Sequence, residues 1–350
     1  MKKFLKRVFI LLVCLVLLLV GSVAFLFRHE FSSLASLEKQ TDKFSTMDYT
    51  ADYGLDEFLE VGASTDADLA AFIIQKLMKG LPVEIELPDL GCSAFQAQTP
   101  DGDMIMGRNF DNPDALYTLV HTKPENGYES ISMVNLSYIG YKGEGLMDYA
   151  LLLAAPYIPL DGINEKGLSI GVLQLMTDPT HQDTGKTDIT TTSAIRMVLD
   201  KAATVEEAIQ LFSQYDMHSS ANAPYHFQLA DATGDTATIE YIDGEMSVYR
   251  ETDGSNLCTT NFYLTPGEYF NNGVGQDRYQ TLRDGLAAAN GVVTEDEGMA
   301  LLEAASASKI KDGKFTGTLW SCIYNNTDCT LKLCCNLDYN TVYEYSVTWQ

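Results

Sequence analysis

Residues 8–27 carry no charge and are almost wholly apolar, with Lys2, Lys3, Lys6 and Arg7 before them and Arg28 after. That length suffices to cross a bilayer core as a helix, and the basic flank should stay in the cytoplasm. Residues 29–63 are polar and weakly periodic, as expected of a stalk or pro-segment. The spacing then predicts a helix over 64–79, with Ser64, Thr65 and Asp66 as N-cap candidates. Its apolar side is Leu69, Phe72, Ile73, Ile74 and Leu77, and Gly80 and Pro82 follow it. Residues 81–91 alternate around two prolines and are expected to be extended. From residue 92 the pattern shortens to strands and tight turns. Strands at 92–98 and 103–110 flank the turn Thr99-Pro100-Asp101-Gly102. Further strands are expected at 225–231, 236–242, 246–250 and 256–261, the first three joined through Ala232-Thr233-Gly234 and Asp243-Gly244. Helices are expected at 193–202 and 205–214, the second opened by Thr204 with Glu207. A similar capping box, Thr294 with Glu297, opens a later helix. Strands and helices come in blocks, which favours an α+β fold of antiparallel sheets layered against helices over a parallel dinucleotide-binding sheet.

Charge narrows the partners. Five of the 23 basic residues lie in 1–28, which has no acidic residue, leaving 18 basic against 48 acidic side chains and a net of −30 beyond it. Such a field repels phosphate backbones, so nucleic acid is not an expected partner. Gly21-Ser22-Val23-Ala24 would also serve as a signal-cleavage site. The run therefore reads as an uncleaved single-pass anchor, favoured by its length, or as a cleaved signal. Either places the body outside the cytoplasm. Apart from Cys14 and Cys92, the cysteines are Cys258, Cys322, Cys329, Cys334 and Cys335, an odd set that fits no standard disulfide framework. The five histidines lack metal-site spacing, and no metal or cofactor is expected.

The chemistry centres on Cys92. A turn near Pro100–Asp101 sets Cys92 across a hairpin from 108–110, which brings a thiol, the Arg108 guanidinium and the Asp111 carboxylate to one sheet end. A neighbouring guanidinium favours the thiolate. Arg108 and Asp111 would lie on opposite faces of a regular strand, so a bulge is needed for both to serve one site.

Gly91-Cys92-Ser93-Ala94-Phe95 and Gly107-Arg108-Asn109-Phe110-Asp111 resemble the opening of the choloylglycine hydrolase family, which includes bile salt hydrolases and penicillin V acylases. Asp161-Gly162-Ile163-Asn164-Glu165-Lys166-Gly167-Leu168, Thr259-Thr260-Asn261 and Asp277-Arg278-Tyr279 resemble later signatures in the family's order. The resemblance covers residues 91–350. It implies a four-layer αββα sandwich, the N-terminal-nucleophile hydrolase fold, and cleavage of a linear amide C–N bond in a small acyl-amide substrate. By the same resemblance Cys92 is the nucleophile, Arg108 polarises its thiolate and Asp111 holds its α-amine. Asn164 and Asn261 would furnish the oxyanion site, supported by Arg278. A free α-amine has a pKa of about 8 and can serve as the base, so no histidine is required.

Ninety-one residues precede Cys92, unlike the simplest members, and cleavage of Gly91–Cys92 is the expected route to a free α-amine. The chain thus divides into a membrane or signal segment (1–28), a pro-segment (29–91) and a hydrolase domain (92–350). Bile salts, penicillin V, acyl-homoserine lactones and fatty acyl amides all stay open as substrates, as does homo-oligomerisation. The competing reading is an anchored surface-binding module that has kept the fold and lost activity.

Overall fold

The computed structural model describes residues 2–78, 80, 91–311 and 314–349. Lys2–Leu26 form one helix and Arg28–Ala35 a second. Among the described residues no helix is long and apolar enough to cross a membrane. The expected membrane anchor at 8–27 is therefore not supported. Several side chains of that run lie outside the described residues.

Two sheets make the body. The larger has nine strands in the order Glu38–Lys39, Phe44–Tyr49, Tyr117–Thr122, Ser130–Asn135, Pro159–Asn164, Ser169–Gln174, Tyr225–Ala230, Thr236–Ile242 and Glu245–Tyr249. The smaller runs Cys258–Thr259, Gly91–Gln98, Met104–Pro113, Lys314–Asn325, Thr330–Cys335 and Asp338–Ser346, with Ser308–Lys311 also pairing to Lys314–Asn325. Helix Thr191–Lys201 packs on Pro159–Asn164 and Ser169–Gln174 of the larger sheet, whereas Gln276–Ala288 and Glu295–Ala304 pack on the smaller one. The capping boxes explain where helices begin. Thr294 accepts from Glu297 N while Glu297 reaches back, and Thr204 accepts from Glu207 N. Pairing is mostly antiparallel, with two departures from expectation: Phe44–Tyr49 lies parallel to Tyr117–Thr122, and Thr187–Thr190 lies parallel to Tyr215–His218.

The parallel strand Phe44–Tyr49 corrects the reading of 29–63 as a stalk. It enters the larger sheet with Phe44, Met47 and Tyr49 fully buried. Helix Leu55–Val61 adds buried Phe58. Helix Asp66–Lys76, within the expected 64–79, is capped by Thr65 and buries Leu69 and Ile73 in the same core as Cys92 and Trp320. Each such apolar side chain contributes about 1.5–3 kcal/mol of burial. The polar texture misled because this segment pairs on one edge, and its charges serve contacts: Asp48 meets His121, and Asp66 accepts from Ala221 N at 2.6 Å. The described residues on either side of residue 92 share one hydrophobic core. The extended reading of 81–91 lies, apart from Gly91, outside the described residues.

Candidate active site

The hairpin is the one expected: Cys92 pairs with Phe110, Ala94 with Arg108 and Gly91 with Asp111. The bulge expected between Arg108 and Asp111 is absent, since their strand stays in unbroken register with the Cys92 strand and the two side chains meet different partners. The irregularity sits on the neighbouring strand. Thr318 pairs with Asp111 and Trp320 with Phe110, so Leu319 is left over as a bulge. Thr318 Oγ1 then donates to Asp111 Oδ1 at 2.6 Å. The Cys92 side of the hairpin faces the larger sheet, while Asp111 is met by Arg278 from helix Gln276–Ala288.

Around Cys92 the bonds are dense. Arg108 Nη2 lies 3.4 Å from Cys92 Sγ and also donates to the Val172 carbonyl. The Cys92 amide donates to Asn261 Oδ1 at 2.9 Å, and Arg278 Nη1 donates to the Cys92 carbonyl. Arg278 further reaches Asp111 Oδ2 at 3.1 Å and Asn261 Oδ1 at 2.8 Å. Asn261 Nδ2 spends one N–H on the Gln174 carbonyl at 2.8 Å, which leaves a second for an oxyanion. Burial pushes the fully buried Cys92 thiol above its ordinary value, Arg108 and Arg278 oppose that rise, and Asp111 adds to it.

The structure thus gathers Cys92, Arg108, Asp111, Asn261 and Arg278. It does not bring Asn164 to them. Asn164 Oδ1 accepts from Lys166 N and Leu168 N, closing the turn between two strands of the larger sheet. Its Nδ2 donates to Leu199 O at 3.0 Å and Ala202 O at 2.7 Å. Those bonds engage both ends of the amide, so the expectation of Asn164 as an oxyanion donor is corrected to a turn and helix-end tie.

The same motif serves the site through Asp161, which the sequence reading passed over. Asp161 Oδ2 accepts from Arg108 Nε at 2.9 Å and Trp320 Nε1 at 3.0 Å, and Tyr324 donates to Oδ1. Arg108 and Asp161 form an ion pair with both side chains fully buried. A carboxylate inside the apolar run Pro159–Asn164 was the available signal, since such a charge requires a partner. Gly171 was also missed. A Cβ there would come within 2.7 Å of Arg108 Cδ, so this glycine makes room for the guanidinium to cross between the sheets. Further back, His226 joins Glu240 at 3.1 Å and the Thr260 carbonyl at 2.7 Å. Glu240 also accepts from Leu264 N and Thr265 N, and so fixes the segment that carries Asn261. Among the described residues no group of three or more His, Cys, Asp and Glu side chains is arranged to hold a metal ion.

A fold of two facing sheets with a buried cysteine, two arginines and two carboxylates at their junction defines a class of amide-bond hydrolase, and comparison with known proteins agrees. Residues 92–271, just over half of the chain, match the family described as linear amide C-N hydrolases, choloylglycine hydrolase family, and the chain belongs to that family. A penicillin V acylase from Pectobacterium atrosepticum is 35% identical over 103 residues, covering 25% of this chain and 27% of that relative. The chain therefore matches about a quarter of the length of this curated relative. Among solved structures, a mutant conjugated bile acid hydrolase from Clostridium perfringens superposes with a TM-score of 0.54 at 16% identity, covering 73% of this chain and 92% of the other. Penicillin V acylase from Agrobacterium tumefaciens gives 0.51 at 19% identity, covering 73% and 86%. At these identities the likeness is one of fold, the N-terminal-nucleophile hydrolase fold.

Proposed function

We propose that this chain is the precursor of a cysteine amide hydrolase that frees its own nucleophile by cleaving Gly91–Cys92. The observation that carries the reading is Cys92 itself: its sulfur faces Arg108 while its amide and carbonyl are held by Asn261 and Arg278. Attack of Sγ on the Gly91 carbonyl carbon transfers the acyl group from nitrogen to sulfur. The C–N bond breaks in that shift and frees the Cys92 α-amine, which takes up the Sγ proton. Water then hydrolyses the thioester, releasing the Gly91 carboxylate and the Cys92 thiol. Asp111 is positioned for the new ammonium, because Gly91 and Asp111 are register partners.

In the processed protein the α-amine takes the Sγ proton as the thiolate adds to a substrate amide carbonyl. The second N–H of Asn261 and the Arg278 charge stabilise the oxyanion. Collapse expels the amine, protonated by the α-ammonium, and leaves a thioester that water hydrolyses to the acid. The fold supports a small acyl amide as substrate, of the kind cleaved by bile acid hydrolases and penicillin V acylases. The helices on the outer faces of the two sheets support the four-layer αββα arrangement. The basic residues ahead of the apolar run at 8–27 support export from the cytoplasm.

N-terminal sequencing of purified protein, with a panel of acyl amides, tests this reading. Wild type is expected to yield a fragment starting at Cys92 and to release amine from at least one substrate. Cys92→Ala is expected to do neither. Turnover by Cys92→Ala equal to that of wild type would sink the proposal.

A further inference from the structure

His181, His218 and Asp188 form a cluster that the chemistry at Cys92 does not use. An antiparallel bridge sets His181 opposite His218. Thr180 and Ser219 lock that pairing, with Ser219 N donating to Thr180 O at 2.8 Å and Thr180 N to Ser219 Oγ at 2.9 Å. Gln182 ties the next step to Met217 through both its backbone and its side chain. The two imidazoles are thus placed by backbone pairing, and their Nδ1 atoms lie 3.4 Å apart.

Two features favour a cation between those nitrogens. First, Asp188 Oδ1 lies 3.1 Å from His218 Nε2, a charge contact more than an aligned hydrogen bond, and the carboxylate also accepts from Ser64 Oγ. A carboxylate at Nε2 keeps the proton there and turns the Nδ1 lone pair outward, the arrangement that orients metal-binding histidines. Second, at 3.4 Å the two nitrogens stand at the outer limit of hydrogen-bonding distance. Two zinc–nitrogen bonds of about 2.0–2.1 Å at a tetrahedral angle instead put the nitrogens about 3.3–3.4 Å apart. The geometry points to a binding site for a divalent transition-metal ion of the zinc class, held by Nδ1 of His181 and Nδ1 of His218. Solvent completes the coordination, and Asp188 acts as the outer carboxylate. With only two protein donors the ion is exchangeable.

The location gives such an ion a structural consequence. Segment 175–186 leaves the strand whose Gln174 carbonyl holds Asn261, and Thr177 meets the Tyr263 hydroxyl at 2.7 Å. Asp188 also binds segment 63–64, whose Ala63 amide donates to the Asp188 carbonyl at 3.0 Å. An ion at the pair therefore pins segment 175–186 onto Tyr215–His218 and, through Asp188, braces residues that precede the cleavage point.

The test uses full-length Cys92→Ala, which removes the reactive thiol, titrated with zinc chloride and separately with cobalt chloride after chelator treatment. Zinc at a hundredfold excess over its dissociation constant is expected to raise the melting temperature by about 3–6 °C. It is also expected to slow proteolysis within 175–186. Cobalt should give a visible spectrum without thiolate charge transfer. His181→Ala and His218→Ala, each added to this background, should keep the chelator-treated melting temperature within about 2 °C and lose the zinc response. Absence of a zinc shift in the parent overturns the inference. So does a shift retained in both histidine variants, or a thiolate-type cobalt spectrum. If His218→Ala fails to fold, exposed His181 decides the matter alone.

Discussion

Asp161→Asn removes one negative charge and almost no volume from the most deeply buried ion pair of the site. Both partners are fully buried, and Asp161 accepts from three donors, Arg108 Nε, Trp320 Nε1 and the Tyr324 hydroxyl. An asparagine oxygen at the Oδ2 position keeps the first two bonds. Its NH2 then faces Tyr324, which must turn its proton elsewhere. Arg108 retains its charge with no carboxylate beside it, and Nη1 already has no hydrogen-bond partner among the described residues. Removing one member of a buried pair costs about 3–5 kcal/mol. The retained hydrogen bonds place this variant near the lower end, about 3 kcal/mol, or about 4–7 °C in melting temperature. Arg108 is also the cation closest to Cys92 Sγ, so a loosened guanidinium should lower kcat by about 10- to 100-fold. Urea unfolding and steady-state kinetics read both effects. Tyr324→Phe, which deletes one neutral donor and leaves the ion pair, should cost only about 1 kcal/mol. An Asp161→Asn protein within about 0.5 kcal/mol and twofold of wild type would refute the claim that Asp161 positions Arg108.

Gly171→Ala should fold yet lose at least about tenfold in kcat, because the new Cβ displaces Arg108 Cδ; wild-type kinetics would show that Arg108 has slack. Burial pushes the Glu240 carboxyl up, but its bonds to His226, Thr265 and Leu264 outweigh that and hold it below the ordinary 4.5. Its stabilisation is therefore present above about pH 4.5 and is lost as pH falls through the depressed value, and Glu240→Gln should flatten this limb of a stability-versus-pH curve. After cleavage the fragment carrying Phe44–Tyr49 and Asp66–Lys76 should co-purify with the 92–350 fragment in buffer and separate only in denaturant, as read by size exclusion. Elution of the two apart in buffer would show that cleavage releases the N-terminal part.

Local signals were legible wherever the chain meets itself nearby. The Thr99–Gly102 turn dictates which residues face Cys92, and the Thr294–Glu297 box marks its helix start. Long-range requirements were not. Arg108 and Asp111 meet at Cys92 from opposite faces of a regular strand, Arg108 at Sγ and Asp111 through Arg278, which lies some 170 residues further on and is not recorded in the hairpin's own sequence. Asn164 misled for a different reason. Its motif is tied to the site through a strand, and the residue in that motif that reaches Arg108 is Asp161, three positions earlier. Turn asparagines satisfy their own backbone, so position beside a functional motif does not make one a donor.

The stalk reading failed on the same physics, and its failure bears on mechanism. A parallel strand cannot be joined to its partner by a tight turn; Phe44–Tyr49 reaches Tyr117–Thr122 only after the chain has passed through two helices and the Cys92 hairpin. The parallel pair Phe44–Tyr49 and Tyr117–Thr122 therefore flanks the hairpin on both sides in sequence, and the N-terminal segment packs into one core with it. Gly91, the residue before Cys92, is in register with Asp111, and a Cβ on it would lie 3.0 Å from Asp111 Cβ. A residue with a side chain at that position would press on the Asp111 carboxylate, the group proposed to receive the α-ammonium. Under the proposed cleavage, glycine would both leave its own carbonyl open to Sγ and keep Asp111 in place, so one small residue would serve precursor and processed site alike.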